Sequence, residues 1–86
     1  MTQNEVEIEY CVACGLLPAA EETGHALLST YGLRIAALRY IPGQGGVFRV
    51  AVDARRVFDK TDEGFDLEAI VARVGESLAP ESMLRL

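Results

Sequence analysis

The sequence predicts a two-layer α/β sandwich: a four-stranded mixed sheet, element order β-α-β-β-β-α, with both helices on one face. Two observations predict it. The first is the succession of patterns along the chain, strand-like in four segments, with strict alternation in the first, and of helical period in two others. The second is the first strand itself, where Glu5, Glu7 and Glu9 alternate with Val6, Ile8 and Tyr10. Helices on both faces of the sheet would bury these carboxylates side by side without partners, at roughly several kcal/mol each. Both helices therefore belong on the Val6/Ile8/Tyr10 face. The glutamates face solvent, within reach of Arg49 if the first and third strands are neighbours.

The first strand covers residues 5 to 10 and ends at Cys11. Leu16, Ala20, Leu27 and Tyr31 then recur at helical spacing, with Leu17, Gly24 and Leu28 beside them. This predicts a helix to about Gly32, a suitable C-terminal stop. Pro18 is best tolerated in a first helical turn, which sets the helix start near Leu16 or Leu17; the alternative is a start nearer Val12 with Pro18 kinking the helix. Residues 33 to 41 read as the second strand, and the glycine-rich PGQGG after them as a turn with Gly45 or Gly46 at positive φ. Val47 to Val52 form the third strand, with Phe48, Val50 and Val52 on one face. A tight reversal at Asp53-Ala54 leads into a fourth strand from Arg55 to about Lys60, so strands three and four make a hairpin. TDEGF reads as loop, and Asp66 caps a second helix whose apolar stripe is Leu67, Ile70, Val71, Val74 and Leu78. Pro80 closes it.

With 86 residues, half of them apolar, the chain has room for one small domain, with a core over about 5–80 and a tail at 81–86. A net charge of -5, with scattered Lys and Arg, argues against nucleic acid. Nothing in the sequence has the length of a membrane span or the form of a signal peptide, so a cytoplasmic location is expected. Two cysteines in such a compartment are a poor structural staple, because reducing conditions keep thiols reduced unless they cycle or bind metal.

Those cysteines, Cys11 and Cys14, stand in "IEYCVACGLLPAA". Two intervening residues let the chain turn so that the sulfurs reach disulfide distance, and a following helix N-terminus favours thiolate over thiol. A strand that ends in Cys-x-x-Cys and runs into a helix is the arrangement of thioredoxin-like redox proteins. Half of a metal site, or inert packing, is the alternative. A zinc site would need ligands from a second subunit, since no other Cys-x-x-Cys or His-x-His exists in the chain.

Three segments, "VEIEYCVACG", "YIPGQGGVFRVAVD" and "EGFDLEAIVARVGESLAP", occur in the order seen in the selenoprotein W, T and H group, the Rdx family. The chain resembles that family over residues 5 to 80. The resemblance implies a thioredoxin-like fold and a redox role for Cys11 and Cys14, with selenocysteine standing at the Cys14 position in selenium-containing members. Two departures stand out. Bacterial members often carry G-G-F-P where this chain has Glu63-Gly64-Phe65-Asp66, and a basic residue where it has Leu17-Pro18, so one nearby positive charge is missing.

The resemblance implies a thiol–disulfide protein that cycles through a disulfide, or a mixed disulfide with glutathione or a partner protein. No bound cofactor and no metal are expected, and a homodimer is left open. The competing reading is a non-catalytic interaction module or redox sensor whose cysteines report oxidation or bind metal. Thioredoxins attack with the first cysteine. Here the selenocysteine position and the delayed helix start point to Cys14 as the attacking sulfur and Cys11 as the resolving one. Gly45, Gly46, Val47 and Phe48 are the candidate substrate-binding residues, because thioredoxins place a cis-proline loop at this point beside the disulfide. GQGG is no phosphate loop, since it precedes a strand and opens no helix.

His25, the only histidine, falls on the polar helical face with Glu21, Glu22 and Ser29, where a salt-bridged surface role is expected. No hydrolytic triad can be built on it. Asp59, Asp62, Glu63 and Asp66 lack the spacing of a calcium loop and read as a solvated loop. Met83, Leu84 and Leu86 form an apolar tail that folds back on the sheet or meets another subunit.

Overall fold

The computed structural model of the protein describes residues 4–78. Its elements are β1 (Glu5–Cys11), α1 (Leu17–Tyr31), a 3-10 turn (Gly32–Arg34), β2 (Ala37–Gly43), β3 (Phe48–Val52), β4 (Arg55–Asp59), α2 (Lys60–Glu63) and α3 (Leu67–Ser77). The sheet order is β2-β1-β3-β4. β1 runs parallel to β2 and antiparallel to β3, and β3 and β4 form the antiparallel hairpin. The sheet is thus mixed, in a two-layer thioredoxin-like sandwich. Pro80 and the tail with Met83, Leu84 and Leu86 lie outside the described residues.

Val6, Ile8 and Tyr10 of β1, Phe48, Val50 and Val52 of β3 and Phe58 of β4 form the sheet side of the core. Ala20 and Leu27 of α1 and Ile70 and Val74 of α3 complete it from the helix layer. Each large side chain so buried contributes roughly 1.5–3 kcal/mol of transfer free energy. The helices share one face because that is the only apolar one.

Leu17 and Leu28, expected beside the apolar stripe of α1, are 42% and 46% exposed. The buried residues are Ala20, Thr23, Gly24 and Leu27. α1 therefore packs through small residues, and a Cβ on Gly24 would overlap the Tyr40 side chain of β2. The Thr23 hydroxyl donates to the Ala19 carbonyl at 2.8 Å, which satisfies it inside the core. The Tyr31 hydroxyl, at the end of α1, donates to the Val71 carbonyl at 2.6 Å and fills the space above Gly75. That contact fixes α1 against α3.

Three boundaries differ from the sequence reading. The second strand starts at Ala37, because the chain after Gly32 closes a 3-10 turn in which the Ile35 N–H donates to the Gly32 carbonyl at 3.1 Å. It also continues through Pro42 and Gly43, since an edge strand tolerates a proline without a ladder donor. The expected TDEGF loop contains the short helix α2, capped by Asp59, whose carboxylate accepts the Thr61 N–H. α3 begins as expected, with Asp66 accepting from the Ala69 N–H at 3.2 Å.

The opposite face of the sheet is charged. Arg39 pairs with Glu7 at 2.6 Å and with Glu5 at 3.5 Å, while Arg49 bridges Glu9 at 3.4 Å and Asp59 at 3.3 Å. Glu9 and Arg49 are cross-strand partners, as the burial argument requires. A register shift between Val50 and Ala51 puts Phe58 opposite Val50 but Arg56 opposite Ala51. Phe58 is thereby directed into the core while Arg56 reaches Asp59 at 3.3 Å. Half-exposed pairs of this kind are worth about 0–1 kcal/mol each, so they keep the face polar more than they stabilise it.

Candidate redox site

Cys11 is the last residue of β1, and the backbone holds it on three sides. Its N–H donates to the Val47 carbonyl at 2.8 Å, its carbonyl accepts from the Leu16 N–H at 3.2 Å, and the next residue, Val12, donates to the Gly43 carbonyl at 3.1 Å. The Gly15 N–H closes a turn onto the Val12 carbonyl at 3.1 Å, and Gly15 has φ +72°, which turns the chain toward α1 at little steric cost. The turn brings the two sulfurs together as a Cys11–Cys14 disulfide with the Cα atoms 5.4 Å apart.

The two sulfurs are not equivalent. Cys11 is 1% exposed, whereas Cys14 is open to solvent. Cys14 also stands just ahead of α1, which has Pro18 in its first turn and no side-chain cap. The first-turn N–H groups of Leu17 and Ala19 therefore have no helical acceptor, and they direct partial positive charge toward the loop. By contrast, an acidic cap closes α3. The missing cap at α1 leaves room for an anion, and a Cys14 thiolate is the anion at hand.

The candidate substrate-binding residues separate into two groups. Gly45 and Gly46 have φ +75° and +77° and form the turn that delivers Val47 to Cys11, so the GQGG loop does lie beside the disulfide. Val47 is 8% exposed, with its carbonyl occupied by Cys11. Phe48 is fully buried, and its ring meets Phe65 edge-on at 5.4 Å between centroids. A peptide at this loop would meet backbone, and the Phe48 side chain would stay in the core.

His25 is exposed on α1 but makes no ion pair among the described residues, contrary to expectation. Pairing on a solvated helical face gains too little to order the side chains. The acidic loop residues are distributed among separate partners. Asp59 serves Thr61, Arg49 and Arg56, Glu63 pairs with Arg73, and Asp66 caps α3. The Thr61 N–H first, then its hydroxyl and Arg49, hold the Asp59 carboxyl below the usual carboxylate range. Arg73 does the same for Glu63. No group of three or more His, Cys, Asp or Glu side chains converges as a metal set among the described residues.

Sequence reading missed the exposed apolar residue inside the Cys-x-x-Cys loop, Val12, which is 57% exposed. Phe65 is 40% exposed. Val12 stands between the cysteines, where an apolar side chain cannot enter the core, and that was the available signal. Glu9 was read only as one of three solvent-facing carboxylates, although it lies two residues from Cys11.

A strand, an exposed sulfur, a buried sulfur and an uncapped helix start define the class of small thiol–disulfide folds. Comparison with known proteins narrows it: the sequence pattern of the Rdx family matches residues 5–76, and the chain belongs to that family. Among solved structures, a Bordetella parapertussis protein is 29% identical, with a TM-score of 0.83 over 90% of this chain and 100% of its own. A selenoprotein W-related protein from Vibrio cholerae is 22% identical, with a TM-score of 0.80 over 87% of this chain and 96% of its own, and shares the fold. Comparison with curated proteins gave no match.

Proposed function

We propose that the protein is a thiol–disulfide redox protein of the selenoprotein W-like type, cycling Cys11 and Cys14 between dithiol and disulfide. The carrying observation is the asymmetry of the pair, one sulfur exposed at an uncapped helix start and the other buried at a strand end. In the oxidising direction, the Cys14 thiolate attacks a partner disulfide. A Cys14–partner bond forms, and the second partner sulfur leaves with the electron pair of the broken bond. Cys11 then attacks Cys14 Sγ, forming the Cys11–Cys14 bond and releasing the first partner sulfur as a thiolate. Two electrons and two protons leave the protein, and the partner is reduced to two thiols. The partner is glutathione disulfide or a protein disulfide docked on the Gly45–Val47 backbone beside Val12 and Leu17. A reducing cytoplasm would return the pair to the dithiol.

The test is equilibration in glutathione buffers, with the disulfide fraction read by mass. The expected potential lies between those of glutaredoxins and thioredoxins, roughly -200 to -270 mV. Two unlinked thiols after exposure to glutathione disulfide, or one zinc per chain in the purified protein, would favour the sensor or metal-binding reading.

A further inference from the structure

Side chains at alternate positions of a strand share a face, so Cys11 falls on the same side of β1 as Glu5, Glu7 and Glu9. The packing agrees: Cys11 and Val47 are both buried, yet neither joins the core cluster beneath the helices. They form a separate buried point at the end of the charged face. The cross-strand partner of Cys11 there is Gly43. A Cβ on Gly43 would come within 3.1 Å of Glu9 Oε2 and 2.8 Å of Val47 Cγ1, so the Glu9 carboxylate occupies the space that a side chain at 43 would take. That space is one strand spacing from Cys11, about 5 Å. The other carboxylate oxygen, Oε1, is anchored by Arg49 at 3.4 Å.

Resting on the redox cycle above, we propose that Glu9 is the general base that takes the Cys11 thiol proton when Cys11 resolves a mixed disulfide on Cys14. A thiol must lose its proton to become a nucleophile, and a buried one resists ionisation without an acceptor. The neighbouring backbone carbonyls are already engaged: Val47 with Cys11, Gly43 with Val12, and Cys11 with Leu16. The charged groups facing Glu9 are Glu7 on its own strand, Arg39 on β2, Arg49 on β3, and Arg56 and Asp59 on β4. Arg39 is committed to Glu7 and Glu5, and Arg56 to Asp59. Among the described residues Arg49 alone binds Glu9, and it offsets the negative charge that a carboxylate would otherwise set against a nascent thiolate. In the step, the Cys11 S–H proton passes to Glu9 directly or through one water, and the Cys11–Cys14 bond forms as the Cys14–partner bond breaks. The proton then leaves with the departing partner thiolate or to solvent.

The experiment uses the full-length reduced protein and Ellman's reagent in stopped flow. The first chromophore release is second order and reports attack by Cys14. The second is independent of reagent concentration and reports resolution by Cys11. In Glu9→Gln the second phase should slow by about a hundredfold at pH 7, the lower end of general-base effects, with the first unchanged within about twofold. The deficit should narrow as the pH is raised, because solvent hydroxide then takes the thiol proton in place of the carboxylate. Glu9→Asp should recover part of the rate, and Glu7→Gln, on the same face but further from Cys11, should behave as the parent protein. An unchanged or faster second phase in Glu9→Gln overturns the assignment, since a carboxylate that acted only by charge would hinder thiolate formation. A deficit equal at all pH values also overturns it. Absence of any second release in the parent protein would instead break the redox cycle, and this role with it.

Discussion

The two ends of β1 are built on opposite terms. At the N-terminal end, side chains reinforce the backbone bonds: both Asp53 carboxylate oxygens accept, from the Asn4 N–H at 3.1 Å and the Glu5 N–H at 2.9 Å, and the Asn4 side-chain amide donates to the Arg34 carbonyl at 2.8 Å. At the C-terminal end, backbone bonds and a reversible disulfide fix Cys11, the helix that follows has no side-chain cap, and Cys14 is exposed. The first end anchors the central strand. The second leaves donors and a sulfur available for chemistry. The difference teaches that in so small a protein stability and reactivity are separated along one strand, seven residues long.

The largest expected effect breaks the reactive end alone. Cys14→Ser should abolish mixed-disulfide formation with glutathione disulfide at the exposed position, read by intact mass, while the urea midpoint of the reduced protein stays that of the reduced parent. A reduced variant that unfolds much earlier would mean that the reactive end also anchors the fold. Breaking the structural end should do the reverse. Asp53→Ala removes the carboxylate that accepts from the Asn4 and Glu5 N–H groups and should cost about 2 kcal/mol, a fall in Tm of roughly 8–16 °C, with the reduction potential unchanged.

A smaller change sharpens the same end. Asp53 and Ala54 both have positive φ, 52° and 67°, so the hairpin turn is of type I′ with alanine where glycine is preferred. Ala54→Gly should raise stability by about 1 kcal/mol in urea unfolding, and a loss would show that the turn is not under backbone strain. The smallest effect is acid sensitivity. The lowered carboxyls of Asp59 and Glu63 contribute stability that is complete above the ordinary carboxylate range, near pH 4, and is lost as pH falls below it. A modest fall in the urea midpoint from pH 6 to pH 3 is expected, smaller in Glu63→Gln.

The parts of this fold that local pattern could reveal were those where one face is buried and the other is not. The strict alternation of β1 located the charged face and, through it, the side on which both helices pack. Asp66 and Pro18 marked the two helix starts by side-chain chemistry that acts within one turn. Tertiary features were hidden. The start of β2 depends on a 3-10 turn after Gly32, and the close approach of Tyr40 to Gly24 depends on how α1 lies on β2. The pairing of Arg39 with Glu7 needs the parallel β1–β2 register, which no single segment contains. The cysteines were legible from their spacing. Glu9 was not, because its position over Gly43 arises only when β1 and β2, paired between residues 32 apart such as Cys11 and Gly43, come together.

The central claim is that Cys14 attacks and Cys11 resolves. Limiting iodoacetamide added to the fully reduced protein near neutral pH, followed by peptide mapping, reads this directly, since alkylation follows thiolate character and access. Predominant label on Cys14 is the predicted result; predominant label on Cys11 would contradict the account and restore the thioredoxin order of attack.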